Sequence, residues 1–102
     1  MKPTNHQLTR DEILLFLREN KALLREQFGV TKIALFGSYA RNEQKATSDI
    51  DLLIELDEPD FMVRLALRDF LEAHFQKKVD VGYISSVRRF MMRFIEQDLV
   101  YT

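Results

Sequence analysis

The chain has 102 residues, of which 46% are hydrophobic and 30% charged, and its formal net charge is −1. This length and composition are typical of one folded domain with a modest core. The near-neutral charge excludes a general electrostatic attraction to nucleic acid or anionic membranes, and the absence of cysteine excludes disulfides and thiolate metal sites. The start of the sequence lacks the apolar segment of a signal peptide, and no apolar run is long enough to span a bilayer. We therefore expect a cytoplasmic protein with no membrane contact.

The first predicted element is a helix that follows Thr9. Thr9 and Glu12 have the spacing of a capping box, apolar residues recur at helical spacing, and Gly29 is a favourable residue for the helix end. Residues 30–36 predict a strand, residues 38–42 a short helix and residues 43–48 a polar loop. The second strand is expected from residue 48 or 49 to residue 56. It is nearly continuously apolar after its acids, which is typical of a central strand covered on both faces.

The remaining elements complete an alternating pattern. Residues 57–60 predict a turn that starts a helix with apolar residues from Phe61 to Phe75, and residues 77–83 predict a third strand. Ser85 or Ser86 is expected to cap a last helix. The apolar residues of that last helix would be Val87, Phe90, Met91, Phe94 and Ile95. The order α-β-(short α)-β-α-β-α predicts a layered α/β domain.

Two carboxylates at the start of the second strand point to a metal site. Because side chains alternate along a strand, Asp49 and Asp51 should project on the same side. Two such charges repel each other unless a cation lies between them, and Mg²⁺ in this setting typically binds together with substrate phosphates. The first strand ends in Gly37 and Ser38, where backbone N–H groups at a helix start favour an anion. The combined pattern predicts a phosphate-plus-metal site.

Gly37-Ser38, ten intervening residues, and then Asp49 and Asp51 resemble the polymerase-beta-type nucleotidyltransferase superfamily. The segment 37–41 (GSYAR) and the segment 48–54 (SDIDLLI) are most similar to the minimal nucleotidyltransferases (MNT), the antitoxins found beside HEPN toxins. The likeness covers nearly the whole chain. It implies that residues 1–102 form a single minimal nucleotidyltransferase domain, an α/β (α+β) core with a small mixed sheet of three to four strands packed with helices. The chain departs from the family at Asn42, where Gly is usual; Asn tolerates left-handed backbone better than most residues.

The resemblance implies roles for three acids. Asp49, Asp51 and Asp80 would be the catalytic residues and the metal ligands, with Asp80 taking or orienting the proton of the attacking hydroxyl. The alternative for Asp49 and Asp51 is a pair of strand-start acids facing water. The alternative for Asp80 is a surface acid on an edge strand, neutralised by Lys77 or Lys78. Glu55 shares the strand parity of Asp49 and Asp51 and is the reserve candidate.

The same resemblance implies that Gly37, Ser38 and Arg41 bind the nucleotide triphosphate. The alternative for Gly37 and Ser38 is a plain strand-to-helix turn, and the alternative for Arg41 is a solvated helix residue. Tyr39 is expected to pack rather than to take part in chemistry. The two histidines, His6 and His74, have no neighbouring acid or serine pattern that would make either a catalytic base.

The implied reaction is attack by a hydroxyl on the α-phosphate of ATP, with two Mg²⁺ ions as cofactors and AMP transferred. Little chain remains to build a separate substrate domain, so the resemblance favours a protein acceptor, a tyrosine of a HEPN toxin, in a hetero-oligomer. The alternative is an antitoxin that binds and occludes its partner without catalysis. Residues 88–93 are rich in arginine, but a helix with one basic and one apolar face explains them equally well, and we expect no direct nucleic-acid contact.

Overall fold

The computed structural model describes residues 7–87 and 98–102. Its helices are α1 (Arg10–Glu19), α2 (Lys21–Phe28), α3 (Gly37–Ala40) and α4 (Phe61–Phe75), and its strands are β1 (Val30–Phe36), β2 (Ile50–Leu56), β3 (Val79–Tyr83) and β4 (Val100–Tyr101). A short 3₁₀ turn, Ile84–Ser86, follows β3. The predicted last helix lies largely outside the described residues, as do His6 and the arginine-rich segment 88–93.

The helical segment that precedes β1 begins and ends where the sequence predicts. The Thr9 hydroxyl accepts a hydrogen bond from the backbone N–H of Glu12, and the Glu12 carboxylate accepts one from the backbone N–H of Thr9, so the capping box is confirmed. The prediction of one continuous helix is wrong, because the segment breaks at Asn20. The Asn20 side-chain amide donates to the carbonyl of Phe16 at 2.9 Å, a bond that competes with regular helical geometry. Gly29 then ends α2 in the left-handed conformation.

The strands form one mixed sheet in the order β3-β2-β1-β4. β1 runs antiparallel to β2 and to β4, whereas β2 and β3 are parallel. The central position of β2 is confirmed. The strand starts at Ile50 rather than at residue 48 or 49, because the Ser48 hydroxyl and backbone N–H are both bonded to Lys45 in a turn. β4 has only two residues and no period-2 pattern, so only its pairing with β1 reveals it.

One face of the sheet carries the hydrophobic core. The fully buried side chains of this core come from α1, α2, α4 and the three longer strands: Ile13, Leu17, Leu24, Leu35, Ile50, Leu52, Ile54, Leu67, Leu71 and Val79. Each such burial stabilises the fold by about 1.5–3 kcal/mol. Because side chains alternate along β2, residues 50, 52, 54 and 56 enter the core while Asp51, Leu53 and Glu55 project from the opposite face. No helix among the described residues is long and apolar enough to cross a membrane.

Candidate active site

The turn after β1 brings the Gly-Ser pair against an acid of β2. Phe36, the last residue of β1, pairs with Asp51, and Gly37 follows with a φ of +78°. A Cβ atom at Gly37 would collide with the carboxylate of Asp51. Glycine is therefore favoured twice here, by the left-handed backbone and by the close approach. Ser38 is half-buried in the first turn of α3.

The turn that ends α3 explains the asparagine in place of the usual glycine. We call residues 37–43 the phosphate loop, after the role that the sequence predicts for Gly37, Ser38 and Arg41. The backbone N–H of Glu43 donates to the carbonyl of Ser38 at 2.8 Å and that of Asn42 to the carbonyl of Tyr39 at 3.2 Å, which is the bond pattern of a Schellman motif. That motif needs a left-handed residue at its penultimate position, and Asn42 has a φ of +58°. Asn42 therefore adopts the left-handed backbone that asparagine tolerates better than most residues.

Asp51 and Asp80 lie side by side on neighbouring strands. They are partners in the parallel register of β2 and β3, and therefore project from the same face of the sheet. Burial raises the pKa of Asp51, and the negative charges of Asp80 and Asp49 raise it further, while the charge of Arg41 opposes the shift. The charges of Asp49, Asp80 and Arg41 thus all act on Asp51, at the end of the sheet where β1 finishes and β2 and β3 begin. Within the described chain none of the three carboxylates has a hydrogen-bond or ion-pair partner.

These acids fit a cation that keeps part of its hydration shell. Within residues 7–87 and 98–102, no group of three or more His, Cys, Asp or Glu side chains is placed so that together they could hold a metal ion. Mg²⁺ does not require such a group, because one or two carboxylates, several waters and substrate phosphates usually complete its octahedron. A half-buried carboxylate with raised pKa beside a second carboxylate is a hard oxygen donor set of that kind. The residues present fit Mg²⁺: Asp51 and Asp80 are register partners, and Asp49 is near enough for its charge to raise the pKa of Asp51.

Arg41 is held between two carboxylates. Its Nε donates to Oε1 of Glu43 at 2.9 Å and its Nη1 to Oδ2 of Asp98 at 3.1 Å. These hydrogen bonds, with Glu43 the larger contributor, raise the pKa of Arg41. The side chain is 42% exposed, so it is fixed yet accessible. The sequence analysis predicted neither of these partners. Glu43 lies only two residues from Arg41 and could have been proposed as an ion-pair partner, whereas no local sequence pattern indicates Asp98.

The other sequence candidates lie apart from this cluster. Glu55 is four residues along β2 from Asp51, about 13 Å at strand spacing, and accepts a hydrogen bond from the Thr31 hydroxyl. Lys77, offered as a neutralising partner of Asp80, instead donates to the carbonyl of Ala46. His74 stacks on Phe16 with a ring separation of 3.6 Å, which is ordinary packing.

Tyr39 belongs to the core rather than to the acid cluster. It is 2% exposed, as expected for a packing residue. A cavity of about 410 Å³ opens beside it and is lined by residues that include Lys45 and Lys77. None of the predicted metal or phosphate ligands lines that cavity, so the acid cluster and the cavity are separate features of the molecule.

The Gly-Ser turn packs on a strand acid that has a second acid beside it, which is the arrangement that the resemblance to nucleotidyltransferases implies. The model of the nucleotidyltransferase domain family matches residues 17–102. The chain belongs to this family, and the resemblance found in its sequence is confirmed.

Two relatives align over almost their whole length. A protein of Methanocaldococcus jannaschii, provisionally named a protein adenylyltransferase, is 42% identical over 95 residues, which cover 91% of this chain and 97% of the relative. Protein adenylyltransferase MntA of Thermococcus cleftensis is 38% identical over 95 residues, which cover 92% of this chain and 96% of MntA. The family assignment therefore extends across nearly the whole chain.

Solved structures share the fold. A structure provisionally called a minimal nucleotidyltransferase superposes with a TM-score of 0.76 at 23% identity, covering 94% of this chain and 98% of that one. A toxin–antitoxin complex with AMP-PNP superposes with a TM-score of 0.65 at 24% identity, covering 92% of this chain and 72% of that one. The complex of tri-AMPylated Shewanella oneidensis HEPN toxin with MNT antitoxin superposes with a TM-score of 0.56 at 22% identity, covering 90% of this chain and 66% of that one. At these identities the likeness establishes the fold and confirms the predicted nucleotidyltransferase core.

Proposed function

We propose that this nucleotidyltransferase is a protein adenylyltransferase that moves AMP from ATP to a hydroxyl group of a partner protein. The observation that carries the proposal is the pairing of Asp51 with Asp80 across β2 and β3, with Gly37 packed directly against Asp51. This geometry puts a candidate phosphate-binding turn next to a carboxylate pair suited to Mg²⁺. The protein adenylyltransferase names of two full-length relatives support the same activity.

Each site residue has a proposed task. The backbone N–H groups and hydroxyl at Gly37 and Ser38 bind the triphosphate, and Arg41 donates to the same phosphates. Asp49, Asp51 and Asp80 would hold two Mg²⁺ ions, which would neutralise charge on the phosphates. Asp80 accepts the proton of the attacking hydroxyl. A bond forms between that oxygen and the α-phosphorus, the bond from the α-phosphorus to the bridging oxygen breaks, and pyrophosphate leaves.

The proposed partner is a HEPN toxin modified on a tyrosine, with this chain as its antitoxin. Support comes from fold neighbours that are toxin–antitoxin complexes, one of which contains a tri-AMPylated HEPN toxin and an MNT antitoxin. We place the reaction in the cytoplasm, where ATP is available, and treat residues 1–102 as one catalytic domain. The second candidate, an antitoxin that only occludes its partner, is disfavoured because Ser38, Asp49, Asp51 and Asp80 are all present.

The decisive experiment incubates the protein with α-labelled ATP, Mg²⁺ and the product of the neighbouring gene. We expect label on the partner and none when Asp49→Asn/Asp51→Asn protein is used. Omission of Mg²⁺ should likewise leave the partner unlabelled. Neutralisation of the partner without transfer of label would establish the occluding antitoxin instead.

A further inference from the structure

A carboxylate near the C-terminal end of the chain reaches the guanidinium of Arg41. The contact joins Oδ2 of Asp98 to Nη1 of Arg41 at 3.1 Å, across 57 residues of sequence. The Asp98 side chain is 28% exposed, compared with 66% for Glu43, the other partner of Arg41. Because water screens exposed ion pairs, the ion pair between Arg41 and Asp98 is less screened by solvent than the ion pair between Arg41 and Glu43.

The sheet explains how Asp98 comes to lie there. β4 pairs Val100 with Leu35 in antiparallel register. Asp98 lies two residues before β4 and Gly37 directly follows β1, so the antiparallel pairing brings both to the same end of this strand pair. β4 and β3 form the two edges of the sheet, so Asp98 approaches the candidate site from one edge and Asp80 from the other.

The carboxylates of Glu43 and Asp98 use only part of the hydrogen-bonding capacity of the Arg41 guanidinium. A guanidinium presents five N–H donors in a rigid plane. Glu43 engages Nε and Asp98 engages Nη1, so with respect to residues 7–87 and 98–102 both protons of Nη2 and one of Nη1 remain for a further acceptor.

We propose that Asp98 is a positioning residue of the nucleotide site, which holds Arg41 so that its free Nη donors meet the triphosphate. The inference rests on the proposed function, in which Arg41 contacts the triphosphate. An arginine held in place before binding does not lose its rotamer freedom when the nucleotide arrives, and preorganisation of this kind increases affinity. Asp98 itself touches neither nucleotide nor metal in this scheme.

A double-mutant cycle tests the proposal. Calorimetry would measure the Kd of AMP-PNP with Mg²⁺ for the parent, Asp98→Asn, Arg41→Ala and the double variant. We expect Asp98→Asn to weaken binding about 3- to 10-fold in the parent and less than about 2-fold in the Arg41→Ala background, because the two residues are coupled. Asp98→Glu should recover most of the affinity. Asp69→Asn removes a carboxylate of another Asp–Arg pair, on the surface of α4, and should change nothing.

The outcomes separate this inference from the proposed function. Unchanged or tighter binding by Asp98→Asn, or an equal loss in both backgrounds, would overturn the positioning role while leaving a loss by Arg41→Ala as support for the nucleotide site. If Arg41→Ala itself binds AMP-PNP as tightly as the parent, the role proposed for Arg41 is wrong and the inference is overturned with it. A lower melting temperature of Asp98→Asn with unchanged Kd would likewise make Asp98 merely structural.

Discussion

Gly37→Ala perturbs the point at which the phosphate loop meets the acids. Gly37 has a φ of +78°, and a Cβ atom there would collide with Oδ2 of Asp51. The variant must therefore carry a left-handed alanine and also displace the Asp51 carboxylate. Both effects act on the candidate site, so stability and nucleotide binding should fall together.

The cost of this substitution follows from the backbone. A residue held in a sparsely populated φ/ψ region costs of order 1–3 kcal/mol. For a domain of this size, each 1 kcal/mol lowers the melting temperature by about 4–8 °C. We therefore expect Gly37→Ala to melt roughly 5–20 °C below the parent and to bind AMP-PNP with Mg²⁺ at least about 10-fold more weakly, a loss of about 1.4 kcal/mol.

A second glycine supplies the matched control. Gly29 also has a left-handed backbone, with a φ of +71°, and its added Cβ would collide with the carboxylate of Asp57. Gly29→Ala should lose comparable stability, as measured by thermal unfolding, yet bind AMP-PNP like the parent in calorimetry. The stability penalty of Gly37→Ala should also shrink in an Asp51→Ala background, where the collision is absent. Parent-like affinity in folded Gly37→Ala, or an equal loss of affinity in Gly29→Ala, would refute the assignment of Gly37 to the nucleotide site.

Four further predictions concern the remaining site residues. Asp49→Asn/Asp51→Asn should abolish AMP transfer in the labelling assay while leaving the metal-free fold intact or more stable by thermal unfolding, because charge repulsion is relieved; retained activity or a collapsed fold would contradict this. Ser38→Ala should weaken AMP-PNP binding and leave partner association in a pull-down unchanged. Lost partner association with unchanged AMP-PNP binding would mean that Ser38 belongs to the partner-binding surface rather than to the nucleotide site. The Asp80→Asn variant should bind ATP normally, but its kcat and kcat/KM should both be lower by about 10²-fold or more. Normal AMP transfer by this variant would exclude Asp80 as the third catalytic acid and make Glu55 the candidate. The pKa of Asp51 is raised in the folded state, so the folded protein binds a proton at Asp51 more readily than the unfolded chain does. The metal-free parent should therefore gain stability relative to Asp51→Asn as the pH falls. The gain should develop between a pH above the raised pKa and the ordinary value of 3.8. Denaturant unfolding at several pH values measures that difference, and a difference independent of pH would count against the raised pKa.

Much of the fold could be predicted from local patterns. The capping box at Thr9, the strand that ends just before Gly37 and the alternation of Asp51 with the core residues of β2 all depend on neighbours a few residues apart. Such features follow from backbone stereochemistry and side-chain periodicity, so the sequence suffices for them. The same local reasoning missed the break at Asn20, where one side-chain hydrogen bond competes with a continuous helix.

The sequence by itself therefore determined the family, the Gly-Ser turn and the pair of acids at the start of the second strand, because those signals lie within a short stretch of chain. Only the tertiary structure decided that Asp80 stands beside Asp51 and that Asp98 reaches Arg41. Both contacts depend on strand register and on which strands become neighbours. These choices reflect burial of whole faces and closure of long loops, and no local pattern of residues encodes them.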